Sequence, residues 1–530
     1  MNTRTWMALV CLFAALALPV GIAAQANLSQ DHKSMHDQYT LIDIGTFGGP
    51  ASFVNPVGNG AGTISSRRAA VGASSTSIPS APNSNGFVCG GLDGSVPFVF
   101  HAFHWQDGVE TNLSALPPAT DNCSDALSVN ASGQIAGTSE NGLIDPVLGT
   151  KEIRAVLWDD GEIKDLGTFG GNYSAAGQIN NRGQVAGFAL NAIPDPFSMF
   201  ATVLGGPSGG TQTRAFLWQN GLMQDLGTLG GNDAWGIFVN ERGQVAGYSY
   251  TNSVPNATTG FPTTDPFLWD KGRMIDLGTL GGTLAVPTAL NNRGQIIGQS
   301  NLPGDQPGNV DPFLWDGEKL IDLYKDTIGG HPITANAIND TGDVVGVSVF
   351  PNGNFDAYLW RDGAVTDLGT LAGDCASQAF AINSGGQVVG QSYSCVSNTV
   401  RTFLWESGSM VDLNTLIPPN SGFQLIEVTA ISDQGEIAGD AVPSGCANPN
   451  DAACGHACLL VPCDQNHPGL EGCDYDPVEA TAASDRRTGR ITRPPAADAN
   501  ETNLSPAEIM TQFRSVTARR NYRFATSLAK

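Results

Sequence analysis

Arg214-Ala215-Phe216-Leu217-Trp218, then Met223-Gln224-Asp225-Leu226-Gly227-Thr228-Leu229-Gly230-Gly231, then Asn240-Glu241-Arg242-Gly243-Gln244-Val245-Ala246-Gly247: this succession decides the fold, because it recurs. A Phe-Leu-Trp segment, a short turn, Asp-Leu-Gly-Thr, a Gly-Gly loop, Ile-Asn and Gly-Gln-Val-x-Gly follow one another eight times in one order. Clear copies run from Phe267-Leu268-Trp269 to Gly298 and from Phe313-Leu314-Trp315 to Gly346. Others are anchored by Trp105, Trp158, Trp360 and Trp405, and a worn copy ends the series at His456-Ala457-Cys458-Leu459-Leu460. Self-similarity at a period of roughly 45 to 60 residues marks a repeat architecture.

Each copy holds four short segments of strand character. Phe-Leu-Trp is continuously apolar, as a strand covered on both faces must be. Asp160-Gly161 and Asp362-Gly363 are strong hairpin turns, which makes the Phe-Leu-Trp and Asp-Leu-Gly-Thr strands neighbours. Asn180-Asn181-Arg182-Gly183 and Asn291-Asn292-Arg293-Gly294 predict type I turns closed by a left-handed glycine, joining the third strand to the fourth. Eight four-stranded meanders, each with two faces to bury, call for radial stacking in an all-β propeller; seven blades is the alternative if the copy around Asn112 to Gly137 is irregular. The first strand, Tyr39 to Thr46, is of the Asp-Leu-Gly-Thr type and the last, His456 to Leu460, of its partner type, so the two ends are expected to share a blade.

Alternation of strand direction puts both kinds of tight turn on one face and the variable links on the other. The longest links run from Gly72 to His101 and from Gly187 to Arg214. Variable loops on a rigid scaffold are where binding is sought. Phe197, Met199 and Phe200 in the second link, with Trp235, Tyr248 and Tyr250 nearby, are the candidate ligand or partner residues; the competing reading has the loop burying them itself.

Met1 to Ala26 has the make-up of a secretory signal: Arg4, an apolar run from Trp6 to Val20, and Ala24-Gln25-Ala26 as cleavage site. The expected organisation is a signal at 1–26, a linker at 27–38, a propeller at 39–462, a disulfide loop and disordered linker at 463–504, and a short basic helix or tail at 505–530. With 26 basic against 50 acidic residues the net charge is −24, which argues against nucleic acid or an anionic membrane as partner. Nine of the ten cysteines follow the signal, as suits an oxidising compartment. Cys375 with Cys395 is the best pair, because setting Asn383 opposite Gln387 sets 375 opposite 395. Cys89 with Cys123, Cys446 with Cys454 and Cys463 with Cys473 are pairs by proximity, and Cys458, where other copies have Phe, is expected as a buried thiol.

The recurring motif, with His101-Ala102-Phe103 as a literal match, resembles the HAF family of extracellular bacterial repeat proteins over about residues 39 to 462. The resemblance implies an exported repeat protein and carries no activity and no functional residues. The residues themselves supply no catalytic signature, cofactor loop or metal-ligand spacing. Asp43, Asp165, Asp225, Asp276, Asp322, Asp367 and Asp412 recur across the copies, which favours a scaffold role at a strand end over catalysis. His101 and His104 lie three apart on a strand and face opposite ways. The expectation is therefore a monomeric, non-enzymatic binding scaffold for a protein or glycan, with a carbohydrate-active propeller enzyme or a surface adhesion component as alternatives.

Overall fold

The computed structural model describes residues 37–54, 62–89, 97–118, 120–203, 210–306, 308–397, 399–446, 454–470 and 473. The expected signal, the segment 474–504 and the C-terminal helix lie outside them. The described chain is all-β apart from short helical turns such as Met199–Val203 and Leu413–Thr415. Its strands form six four-stranded sheets and one of nine strands, the latter being a group of five, its first strand split into His331–Pro332 and Ala337–Ile338, and a group of four, joined by a single parallel pair, Phe355 with Ala376.

The third group shows the pattern: Gly170–Ile179, Val185–Asp195, Gly210–Gln219 and Leu222–Asp225, each antiparallel to the next. The fourth repeats it with Ala234–Val239, Val245–Pro255, Pro262–Asp270 and Arg273–Asp276. Side chains alternate across a strand, so in Phe-Leu-Trp the Phe and Trp face the preceding group and the Leu faces the following one. Phe216 and Trp218 accordingly pack with Leu157 and Ala176, while Leu217 packs with Phe267 and Trp269. That two-sided burial is why no polar residue interrupts the segment. The hairpin turns take positive φ at both central positions, 50° and 81° at Asp160 and Gly161, which matches the twist of the flanking strands.

A bulge recurs in the first strand of most groups, between Ala176 and Ile179 and between Gly236 and Phe238 for example. It swings a carbonyl against the second strand, and a side chain at Gly187 would run into Ala175 O and the Phe216 ring, which explains the invariant last glycine of the motif. The same bulge, between Ala379 and Ala381, shifts the register expected for Cys375: Ala376 sits opposite Tyr393, so Cys375 falls one place short of Cys395. The disulfide forms all the same, as do Cys89–Cys123, Cys446–Cys454 and Cys463–Cys473, and Cys458 is free and buried.

The two ends of the described chain meet. Tyr39–Asp43 pairs antiparallel with His456–Pro462, Tyr39 opposite Pro462 and Asp43 opposite Cys458, to complete the sheet of Phe423–Ile431 and Ile437–Pro443. Chain leaving that strand bonds onward, Ile44 N to Ala457 O and Ser52 N to Gly455 O. Cys458, 1% exposed, lies under this pairing. Removing residues 1–47 is therefore expected to let a maleimide label Cys458 under native conditions, whereas the intact chain labels only after denaturation; mass spectrometry of the labelled peptide reads the difference.

Candidate functional site

Two ends of the sheet groups carry polar chemistry, and they differ in kind. At the tight-turn end, Asn180 Oδ1 accepts the N–H groups of Arg182 and Gln184, both at 3.0 Å, and its Nδ2 donates to Gln184 Oε1 and to Asn240 O of the next group at 2.9 Å. The same reach links Asn130 to Asn180, Asn240 to Asn291, Asn291 to Asn339, Asn339 to Asn383 and Asn383 to Ser432. The next residues form a second tier in which Asn181 N donates to Glu241, Asn292 N to Asp340 and Ser384 N to Asp433. One cavity of about 330 Å³ opens among these turns, lined by Ser65, Asn130, Asn181, Asn240, Asn291, Asn339, Asn383 and Ser432, one from each group. Its amides and these three carboxylates are engaged in holding neighbouring turns together. In the sequence the asparagine of the motif reads as a turn residue, and only its repetition marks the link it makes to the next group.

At the other end, each recurring aspartate accepts the N–H two residues on, as Asp165 does from Gly167 and Asp225 from Gly227. It also faces the residue two places before the motif phenylalanine position. Arg154 lies 3.6 Å from Asp165, Arg214 3.0 Å from Asp225, Arg401 3.7 Å from Asp412 and His456 2.9 Å from Asp43. Where Asn112 replaces the aspartate, it bonds His101 Nδ1 at 3.1 Å. Asp322 faces Asp311, and Lys325 bridges them at 2.7 and 3.1 Å.

The long links are fastened by buried carboxylates. Glu140 accepts the N–H groups of Asn85 and Cys123, at 2.6 and 2.8 Å, and pairs at 3.3 Å with Lys151, whose side chain is only 4% exposed. Removing either partner of such a buried pair costs about 3–5 kcal/mol. Cys89 and Cys123 lie beside Glu140, but they are joined in a disulfide, and Lys151 already supplies the carboxylate with a cation. In the second link, Asp233 accepts Met199 N at 2.6 Å and Thr213 N at 3.0 Å.

The six candidate aromatic and apolar residues come together, but inward. Met199, Phe200, Trp235, Tyr248 and Tyr250 are buried in one cluster with Tyr173 and Phe188; Phe197 packs against it half-buried, its carbonyl bonded by Tyr250 OH at 3.0 Å. Trp235 stacks on Tyr248, and the Phe188 ring lies tilted against Trp235, with centroids 3.8 Å apart. The link caps the group and satisfies these side chains itself, so they present no open patch.

What the variable end exposes instead is a set of raised hairpins. Ala69–Pro79, Ile135–Ile144, Val185–Asp195 and Val245–Pro255 are 10 or 11 residues long, against 6 or 7 for Ile296–Asn301, Val344–Val349, Val388–Tyr393 and Ile437–Pro443. At about 3.3 Å per residue the extra length lifts the four tips by about 15 Å. Each arm kinks at a bulge in the same place, between Ser75 and Pro79 or Tyr250 and Pro255. Their ends carry exposed aliphatic side chains: Ile78, Leu143 at 59%, Val147 at 70%, Ile193 and Val254 at 72%. Ser74-Ser75-Thr76-Ser77 and Thr251-Asn252-Ser253 lack the apolar alternation of a half-buried strand, so these arms are not visible as strands in the sequence.

No protein-family model matches this chain, and no curated protein is similar to it. Among solved structures it is similar to dipeptidyl peptidase 4 of Porphyromonas gingivalis, with 11% identity over 67% of this chain and a TM-score of 0.41. It is also similar to a prolyl endopeptidase, with 12% identity over 66% of this chain and a TM-score of 0.38. The polysaccharide lyase Uly1 matches with 9% identity over 81% of this chain, all of that one, and a TM-score of 0.31. The chain spans 57% and 51% of the two peptidases' length. At these identities and TM-scores none of their activities carries over.

Burial pushes the Asp233 carboxyl well above the usual carboxylate range, and Asp195, within hydrogen-bonding reach, pushes it further. Asp195 is itself buried, with Oδ1 taken by Phe197 N and Oδ2 lacking a hydrogen-bond partner. A carboxyl raised in the folded state contributes stability fully present below its unfolded pKa and lost as pH rises through the folded one. Asp195→Asn, which places an amide donor toward Asp233, is expected to stabilise the protein by about 1–3 kcal/mol at neutral pH and to lose that advantage in mild acid. Melting temperatures of parent and variant from pH 4 to 8 check it.

Proposed function

We propose that this chain is an exported, closed eight-bladed β-propeller of the HAF type that binds a protein partner through the raised half of its variable face. Closure is supported by the pairing of Tyr39–Asp43 with His456–Pro462 and by the single cavity to which each of the eight groups contributes a turn. Export is supported by the apolar stretch near Met1 and by four disulfides. Among the described residues no helix is long and apolar enough to cross a membrane.

The observation that carries the binding reading is the asymmetry of the variable face. Scaffold requirements repeat around a ring, whereas the lengthened arms occur in four consecutive groups and the other four stay short. Aliphatic tips at that height serve no packing within the chain, and apolar side chains held in solvent mark an interaction surface. Their chemistry favours protein over glycan, because sugars are gripped by exposed aromatic rings and the exposed large side chains described here are aliphatic apart from Tyr324.

Affinity capture from the culture medium with the mature protein is the direct test, with Leu143→Asp combined with Val254→Asp as comparison. The double variant is expected to melt within about 1 kcal/mol of the parent, since both sites are exposed, and to lose the captured protein. Retention of the same partner, or binding by both forms to a glycan array instead, counts against the proposed surface.

A further inference from the structure

The first residue of the motif and the recurring aspartate form a rim pair in each sheet group, and the eight pairs differ in how their charge is met. Four set Arg154, Arg214, Arg401 or His456 against the aspartate, and His101 with Asn112 carries no carboxylate. The remaining three, in consecutive groups, put a second aspartate in place of the cation: Asp265 with Asp276, Asp311 with Asp322, and Asp356 with Asp367. Two carboxylates in contact are stable only with a proton or a cation between them.

The middle pair shows which solution the geometry accepts. Lys325 Nζ sits 3.1 Å from Asp311 Oδ2 and 2.7 Å from Asp322 Oδ2, so a cation occupies the space between them. In the third pair Asp356 receives the amide of Asn354 at 3.3 Å. The first pair has no such counterpart. The position matching Lys325, three residues beyond the aspartate, is Thr279, and its hydroxyl is turned to Gly282 O at 2.8 Å. Asp265 is 9% exposed, its Oδ1 is buried without a hydrogen-bond partner, and it lies within hydrogen-bonding reach of Asp276. Asp276 is exposed, with Oδ1 holding Gly278 N at 2.8 Å, so the pair opens to solvent on one side.

We propose that Asp265 and Asp276 bind a hard divalent cation, Ca²⁺ in the first instance, which takes the place that the Lys325 ammonium fills one group further on. Paired carboxylate oxygens with an open side suit Ca²⁺, whose loose coordination shell water can complete. The site lies on the rim of the fourth group, below the arm that ends at Val254. Ion binding there ties Pro262–Asp270 to Arg273–Asp276, the strands beside that arm.

The test uses the mature chain with Ca²⁺ as the only added ligand, followed by calorimetry and by melting in Ca²⁺ against EDTA. The parent is expected to bind one ion through this pair and to melt several degrees higher in millimolar Ca²⁺. Asp265→Asn is expected to abolish both effects, with Asp276→Asn as the second variant should the buried substitution fold poorly. Lys325→Met is expected to create a further calcium-dependent rise by vacating the middle pair. A parent indifferent to Ca²⁺ but stabilised by acid alone would show that a shared proton fills the site, and a calcium effect that persists in both aspartate variants would place the ion elsewhere; either result overturns the proposal.

Discussion

The side-chain amide that passes from each turn to the carbonyl of the next is the contact on which the arrangement depends. Faces of apolar sheets attract one another without direction, and Ala, Leu and Phe alone would allow neighbouring groups to slide. Asn180 removes that freedom by closing its own turn with one oxygen and fixing the next group with its nitrogen. No other residue does both at this length: aspartate has no proton to give, serine reaches less far, and glutamine would lose more rotamer freedom. Six links of this kind run from Asn130 to Ser432. The two positions without asparagine, Ser65 and Ser432, flank the seam, where Arg68 faces Glu436 at 3.8 Å and the strand ends supply backbone bonds instead.

Much of this was legible in the sequence because it repeats. Turn glycines, the hairpin pairs and the Phe-Leu-Trp segments announce four strands per copy, and the phase of the two ends implies their pairing. What repetition does not encode was harder to read. The Cys375 register fails by one residue because a bulge costs no distinctive side chain at its own position; its mark is the glycine across from it, Gly390. The aromatic set around Trp235 was visible as a departure from the motif, yet composition cannot say whether such a set faces out or in. Asp233 decides it, by pinning the backbone of the link so that Met199 and Phe200 fold over the group.

The arms were hidden for a different reason. A strand that projects into solvent needs no apolar face, so its sequence resembles a polar loop, and only the partner strand reveals it. The same property makes the arms cheap to vary. Nearer the base Glu140 and Tyr250 fasten the neighbouring links, but the exposed ends hold no group in place, and the bulge in each arm separates their twist from that of the sheet below. The rim pairs occupy the boundary between the two regimes, repeated in position and free in charge.

The pairing of Tyr39–Asp43 with His456–Pro462 has a temporal side. A polypeptide made from its N-terminus presents this first strand long before its partner exists, while the groups between can form from local hairpins. The last sheet is therefore the one element that waits for nearly the whole chain, and long-range pairing of this type is intrinsically slow. Until then both Tyr39–Asp43 and His456–Pro462 remain open edges, the kind of surface through which one molecule can borrow a strand from another. The first strand is thus a latch in time as well as in space, and the hazard it poses to a half-made chain is domain exchange at the seam.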